Sequence, residues 1–211
     1  PMQESQEKWA EFSKKYGINF VFFNYTDATP WGESFLGNIV QDPDWRIVYI
    51  NEIAIVLVKN SKENKEIISN FVISEANVIE KTIETIKNSN MDKLNLASTL
   101  SLLFYKISWR EAAIHFADEA IKLDPKAPRP YLYKGLAHAY YTDKENQKLA
   151  DENIRKAIDL GLKDSKYYYI LGVINMNLGH LDEARMLFIK SLEIDKNNQE
   201  AREFLEKYFS K

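Results

Sequence analysis

The chain has 211 residues and a mass of 24.6 kDa, room for one or two domains with a real hydrophobic core, and 45% hydrophobic with 28% charged residues is ordinary globular composition. Its 28 bases face 31 acids for a net charge of −3, and only six of the bases are Arg, which argues against a nucleic-acid surface built on clustered Arg forks. The absence of cysteine excludes disulfides, thiolate catalysis and Cys-ligated metals; three His and seven Gly leave little material for a metal site or a phosphate-cradling loop, so neither metal nor cofactor is expected.

Pro1-Met2 is not a natural start, which reads as a chain processed or excised from something longer. Residues 3–15 carry Trp9 and Phe12 in a charged stretch, a short amphipathic helix that stops at Gly17. Residues 18–25 are β-branched and aromatic and read as a buried strand. Thr29 or Asp27 can cap a helix that Pro30 or Trp31 opens and that runs to about Val40. Two apolar runs, 46–50 and 53–58, flank Asn51-Glu52 as a two-residue hairpin, the second run apolar on both faces as a covered strand requires. That second run is the longest apolar one and falls far short of the roughly 20 residues of a membrane span, and no signal peptide is visible. The expected unit, helix–strand–helix–hairpin over residues 1–60, has a thin sheet. It is either the end of a larger domain or leans on the helices that follow. Residues 61–74 are polar at their start and read as a linker.

The run Lys15-Tyr16-Gly17-Ile18-Asn19-Phe20-Val21, then Asp42-Pro43-Asp44-Trp45-Arg46-Ile47-Val48-Tyr49, then Ile53-Ala54-Ile55-Val56-Leu57-Val58, resembles the extracytoplasmic tail of multi-pass bacterial glycosyltransferases of the protein mannosyltransferase type. The resemblance covers about residues 8–60. It implies a membrane-anchored parent and a periplasmic location, or a cytoplasmic one without it. It implies nothing catalytic, because the acids of that class lie in loops between membrane spans.

Residues 75–211 read as helical repeats. Tyr168, Leu171-Gly172, Gly179, Leu181-Asp182-Glu183-Ala184, Phe188, Ser191-Leu192 and Ile194-Asp195 are preceded one period earlier by Tyr133, Leu136-Ala137, Tyr140, Ala150, Ile154 and Ala157-Ile158. Earlier still come Leu100-Ser101, Phe104, Ala113, Ala120-Ile121 and Leu123-Asp124-Pro125. The pattern is similar to the tetratricopeptide repeat, of period 34, over about residues 95–198. Only the aromatic replaced by Asn175 and the closing proline replaced by Lys196 are missing from the last repeat. Small residues at Ser101, Ala137 and Gly172 are expected to face Ala113, Ala150 and Ala184, letting helix axes approach to about 8–10 Å. Val78, Ile79, Ile83 and Ile86 mark a leading helix, and Ala201, Phe204, Leu205 and Tyr208 a solvating end helix. The fold class is therefore mostly α, three repeats plus an end helix behind a small α/β unit.

In this family the first helices line a concave face, here Leu102, Tyr105, Tyr131, Lys134, His138, Tyr141, Tyr169, Val173 and Met176. That is an aromatic, weakly polar trough suited to a protein or peptide segment; its own neighbours could equally fill it. Family members that hold a C-terminal carboxylate carry Lys, Asn and Arg where this chain has Ser98, Leu102, His138, Tyr169 and Val173, so that clamp is absent. No two of His115, His138 and His180 have ligand spacing. Asp27, Glu33, Asp42 and Asp44 could be a hydrolase's carboxylates, but read better as caps and turn formers. Asn24-Tyr25-Thr26 matches the N-glycosylation acceptor tripeptide, placed by this reading inside a buried strand. The expected role is a non-catalytic protein-binding scaffold. The alternatives are a self-association or structural module on its own parent, and an accessory part of a glycosyltransferase-type enzyme.

Overall fold

The computed structural model describes residues 5–27 and 29–209, and among these every side chain except those of 84–86 and 88. Its elements run α1 (Gln6–Lys15), β1 (Phe20–Asn24), α2 (Pro30–Gln41), β2 (Trp45–Ile50), β3 (Ala54–Lys59), α3 (Lys65–Phe71), α4 (Val78–Asn88), α5 (Lys93–Lys106), α6 (Arg110–Leu123), α7 (Pro128–Ala139), α8 (Lys144–Asp159), α9 (Ser165–Leu178), α10 (Leu181–Ile194) and α11 (Gln199–Phe209). This is the expected mostly helical protein with a small antiparallel sheet. The chain divides into two compact units, Pro1–Phe116 and Ala117–Lys211, with α6 crossing from one to the other. The side chain of Ile86, expected on the stripe of α4, lies outside the described residues.

In the first unit the strand order is β1-β3-β2, antiparallel throughout. Central β3 is apolar on both faces for that reason, with Ala54, Ile55, Leu57 and Val58 all buried. An aromatic cluster packs on one side: Trp9 of α1 meets the Phe35 ring edge-on at 4.9 Å and lies 5.7 Å from Trp45, and Phe23 lies 5.4 Å from Phe35. β1 departs from expectation. It is an edge strand whose outward residues Phe20 and Phe22 are 60% and 63% exposed. Aromatic composition suits an edge or a central strand equally, and only sheet order separates them.

The turns follow from side-chain capping. Thr29 Oγ1 accepts the Gly32 amide at the start of α2, and Asp27 Oδ1 accepts the Thr29 amide. The hairpin turn is longer than expected. The last partners are Ile50 and Ile55, and Asn51 Oδ1 accepts the Ile53 and Ala54 amides. Because Asn51 supplies these bonds, Glu52 needs no positive φ, which among described non-glycine residues only Ser108 adopts. Tyr25, 2% exposed, donates its hydroxyl to the Asn51 carbonyl at 2.6 Å, and burial with nearby Glu52 pushes its phenol well above the usual range. Residues 61–74, expected as a linker, contain α3; Asn64 Nδ2 ties them to the Lys59 and Asn19 carbonyls, and the Ile73 amide donates to Ile47.

The sheet unit leans on the helices after it. Lys106 of α5 pairs with Glu33 of α2 at 3.0 Å, and Gln41 Nε2 donates to the Ile107 carbonyl. Between α5 and α6, buried Ser101 Oγ donates to the Ala113 carbonyl at 2.9 Å, and Phe104 lies between Trp109 and Phe116.

In the second unit α7–α8 and α9–α10 are helical hairpins that α11 follows. A Cβ on Gly172 would stand 2.5 Å from the Phe188 ring, and one on Gly135 2.6 Å from Ile154 Cγ1. The close approach of α7 to α8 is therefore made at Gly135 as well as by fully buried Ala137, the residue the repeat pattern singles out. Gly179, at φ +84°, ends α9, its amide on the Met176 carbonyl and that of His180 on Asn175. Ser191 Oγ donates to the Ser165 carbonyl, and Asn198 Nδ2 donates in turn to Ser191 Oγ, fixing the turn into α11.

Two outcomes test this packing. Gly172→Ala forces the buried Phe188 ring to move and is expected to cost about 1–3 kcal/mol of unfolding free energy, read by urea denaturation. The neutral Tyr25 phenol is favoured by folding, so its contribution is intact below about pH 10 and is lost as pH climbs toward its folded value. Urea midpoints across that interval are expected to fall more for the parent chain than for Tyr25→Phe, the other buried tyrosines acting equally in both.

Candidate protein-binding surface

The expected trough residues divide by unit. On α5, in the first unit, Leu102 and Tyr105 are half-buried, and burial pushes the Tyr105 phenol up. The other seven lie in the second unit, on α7, the residues just after it, and α9.

On α7, Tyr131 is half-buried against the core around Leu132 and Ile154, and its hydroxyl donates to the Pro125 carbonyl at 3.4 Å. Lys134 reaches Asp118 at 2.7 Å with both side chains partly exposed, a contact expected to add at most about 1 kcal/mol. His138, expected to face the trough, is buried instead, its Nδ1 2.6 Å from Asn146 Oδ1. The cause is the cap of α8: Asp143 accepts both the backbone and side-chain N–H of Asn146, which turns Asn146 Oδ1 toward the ring and assigns the proton to Nδ1. Tyr141 meets Tyr140 edge-on at 6.2 Å and remains half-exposed.

On α9 three further residues are half-buried. Tyr169, Val173 and Met176 pack on the cluster of Ala184, Phe188 and Ala201, together with Phe204, Leu205 and Phe209 of α11. Tyr169 meets Phe204 edge-on at 5.7 Å. All three keep part of their surface in solvent while resting on that cluster.

A polar network in the same unit was missed from sequence. Asn175, buried where the repeat pattern has an aromatic, donates to Asp151 Oδ1 at 2.6 Å and to the Leu171 carbonyl. Asp151 pairs with Arg155, which also reaches Glu183 at 2.6 Å. Gln147 donates to the Ala139 and Tyr141 carbonyls and accepts from Asn177. Three helices, α8, α9 and α10, are thereby registered by side-chain hydrogen bonds. The signal available in sequence was the departure from pattern at Asn175 itself. The acids weighed as catalytic groups serve turns: Asp27 bonds Thr29, which holds its carboxyl below the usual range, Asp42 accepts the Asp44 amide, and Glu33 pairs with Lys106. Among the described residues no group of three or more His, Asp or Glu could hold a metal ion, and no helix is long and apolar enough to cross a membrane.

Residues 165–198, covering α9, α10 and the turn after them, match the tetratricopeptide repeat family model. The chain is similar to the first repeat domain of Spaghetti (RPAP3) bound to HSP90 peptide SRMEEVD, at 23% identity over 55% of this chain and 91% of that one, with a TM-score of 0.49. The first TPR domain of human RPAP3 is 22% identical over 55% and 88%, TM-score 0.49. MamA is 20% identical over 58% and 71%, TM-score 0.50, a likeness of fold. No curated protein matches the sequence.

Truncating the buried amide leaves Asp151 short of a donor, so Asn175→Ala is expected to lower unfolding free energy by about 1–3 kcal/mol in urea denaturation. Tyr131→Ala, at the half-exposed surface, should cost less.

Proposed function

We propose that the chain is a non-catalytic scaffold that binds a protein or peptide segment through the first helices of its repeats. The observation that carries this reading is that Tyr131, Lys134 and Tyr141, on and just after α7, and Tyr169, Val173 and Met176, on α9, all keep part of their surface in solvent within the second unit. Half-exposed tyrosines beside a cation offer large contact area at small entropic cost, the chemistry of a recognition surface. The segment bound is aromatic or apolar, since the charge of Lys134 is already met by Asp118. It is not a C-terminal tail of the HSP90 type, since Ser98, Leu102, His138, Tyr169 and Val173 offer no carboxylate clamp.

The resemblance of residues 8–60 to glycosyltransferase tails supports a periplasmic setting as part of a membrane-anchored protein. A second reading, self-association or packing on the parent protein, is favoured by the exposed Phe20 and Phe22 on the sheet edge.

A photo-crosslinking residue at position 134 of the full chain, irradiated in cells, tests the surface. The expected result is a discrete adduct that Tyr131→Ala with Tyr141→Ala abolishes while the variant still unfolds cooperatively. The small stability cost of Tyr131→Ala lowers the melting temperature without ending cooperative unfolding, and an adduct that survives the double change removes the α7 surface from the account. An adduct at twice the chain mass assigns the surface to self-association instead.

A further inference from the structure

The one sequence motif the scaffold reading leaves unused is Asn24-Tyr25-Thr26, the only Asn-X-Ser/Thr tripeptide in the chain. Its expected place was the buried interior. In the structure Asn24 ends edge strand β1, and Asn24 and Thr26 are both exposed while Tyr25 between them is 2% exposed. The Tyr25 hydroxyl, bonded to the Asn51 carbonyl, fastens the middle of the tripeptide and turns its two outer side chains toward solvent.

The local geometry is that of an acceptor. Thr26 donates both its amide, at 3.0 Å, and its hydroxyl, at 2.7 Å, to Asn24 Oδ1. The two bonds occupy the carboxamide oxygen and leave Nδ2, which has no partner among the described residues, as the free end of the group. A second observation is independent of the motif. Phe22, two residues before Asn24 on the same face of β1 and paired across the sheet with Val56, is 63% exposed. A sugar on Asn24 would lie along that face, where an aromatic ring offers its π surface to the C–H groups of the first residue.

We propose that Asn24 is an N-glycosylation site, taking an oligosaccharide from a lipid-pyrophosphate donor, and that Phe22 is the platform on which the first sugar rests. In the transfer Asn24 Nδ2 bonds to the anomeric carbon and the bond from that carbon to the pyrophosphate oxygen breaks. The lipid pyrophosphate leaves with the electron pair, and one Nδ2 proton passes to a carboxylate of the transferase. No redox partner is needed. The glycan also shields the open edge of β1, the liability any exposed edge strand carries. The site stands apart from the α7 surface, and either can fail without the other.

The test is transfer to the folded full chain by a single-subunit oligosaccharyltransferase with its lipid-linked donor, read by peptide mass spectrometry. The expected result is a glycan on Asn24 and on no other Asn, lost in Thr26→Ala and retained in Thr26→Ser. A transferase that modifies a free peptide of residues 18–30 but leaves the folded chain bare would overturn the site. The platform is tested by melting temperature: the glycosylated chain is expected to melt higher than the bare one, and Phe22→Ala to remove the increment. Equal melting of the two forms of the parent chain would overturn the role of Phe22.

Discussion

Much of the second unit depends on two helix pairs coming closer than side chains allow. At Gly172 and Gly135 the partner helix occupies the space a Cβ would need, filled by Phe188 in one case and Ile154 in the other. A glycine inside a helix lowers its intrinsic stability by roughly 0.5–1 kcal/mol relative to alanine, yet here it admits a whole aromatic or branched side chain to the backbone. Leu132, Ala157, Leu171 and Ile174 then form one continuous core around the contact. Everything exposed on α7 and α9 is positioned by that approach, because a hairpin opened by one methyl group would turn both first helices.

The hydrophobic approach brings helices together without choosing their register. That choice falls to the polar side chains from Gln147 to Glu183. Asn175 bridges α9 to Asp151 of α8, and Arg155 extends the link to Glu183 of α10. The buried members of this network, Asn175 and Gln147, favour one arrangement because away from these partners they have no water to turn to. It also consumes residues that a surface reading would count as available. His138 is drawn in by Asn146 in the same manner.

The first unit solves a different problem, a three-stranded sheet too thin to cover itself. Trp9, Phe35 and Trp45 close one side, and the anchoring hydroxyl of Tyr25 holds the β1 end against the hairpin turn. The outer residues of β1 are left in solvent. Their exposure links the scaffold's second reading with the acceptor geometry at Asn24, since both draw on the same uncovered strand.

Most helices and their order were legible in sequence because local rules set them: Thr29 caps α2, Gly179 stops α9, and apolar residues recur at helical spacing, whereas α3 lay in a stretch read as a linker. The repeat pattern likewise named Gly172, Ala184 and Phe188, since packing at a fixed period leaves a fixed signature. What sequence left open was everything decided by residues far apart in the chain. Phe22 is exposed only because β3, not β1, is the central strand, and strand order is not written in β1. Tyr169 meets Phe204 of α11, a contact that the spacing of α9 does not name. Periodicity reports which face of a helix is apolar; which neighbour meets that face is a property of the assembled unit.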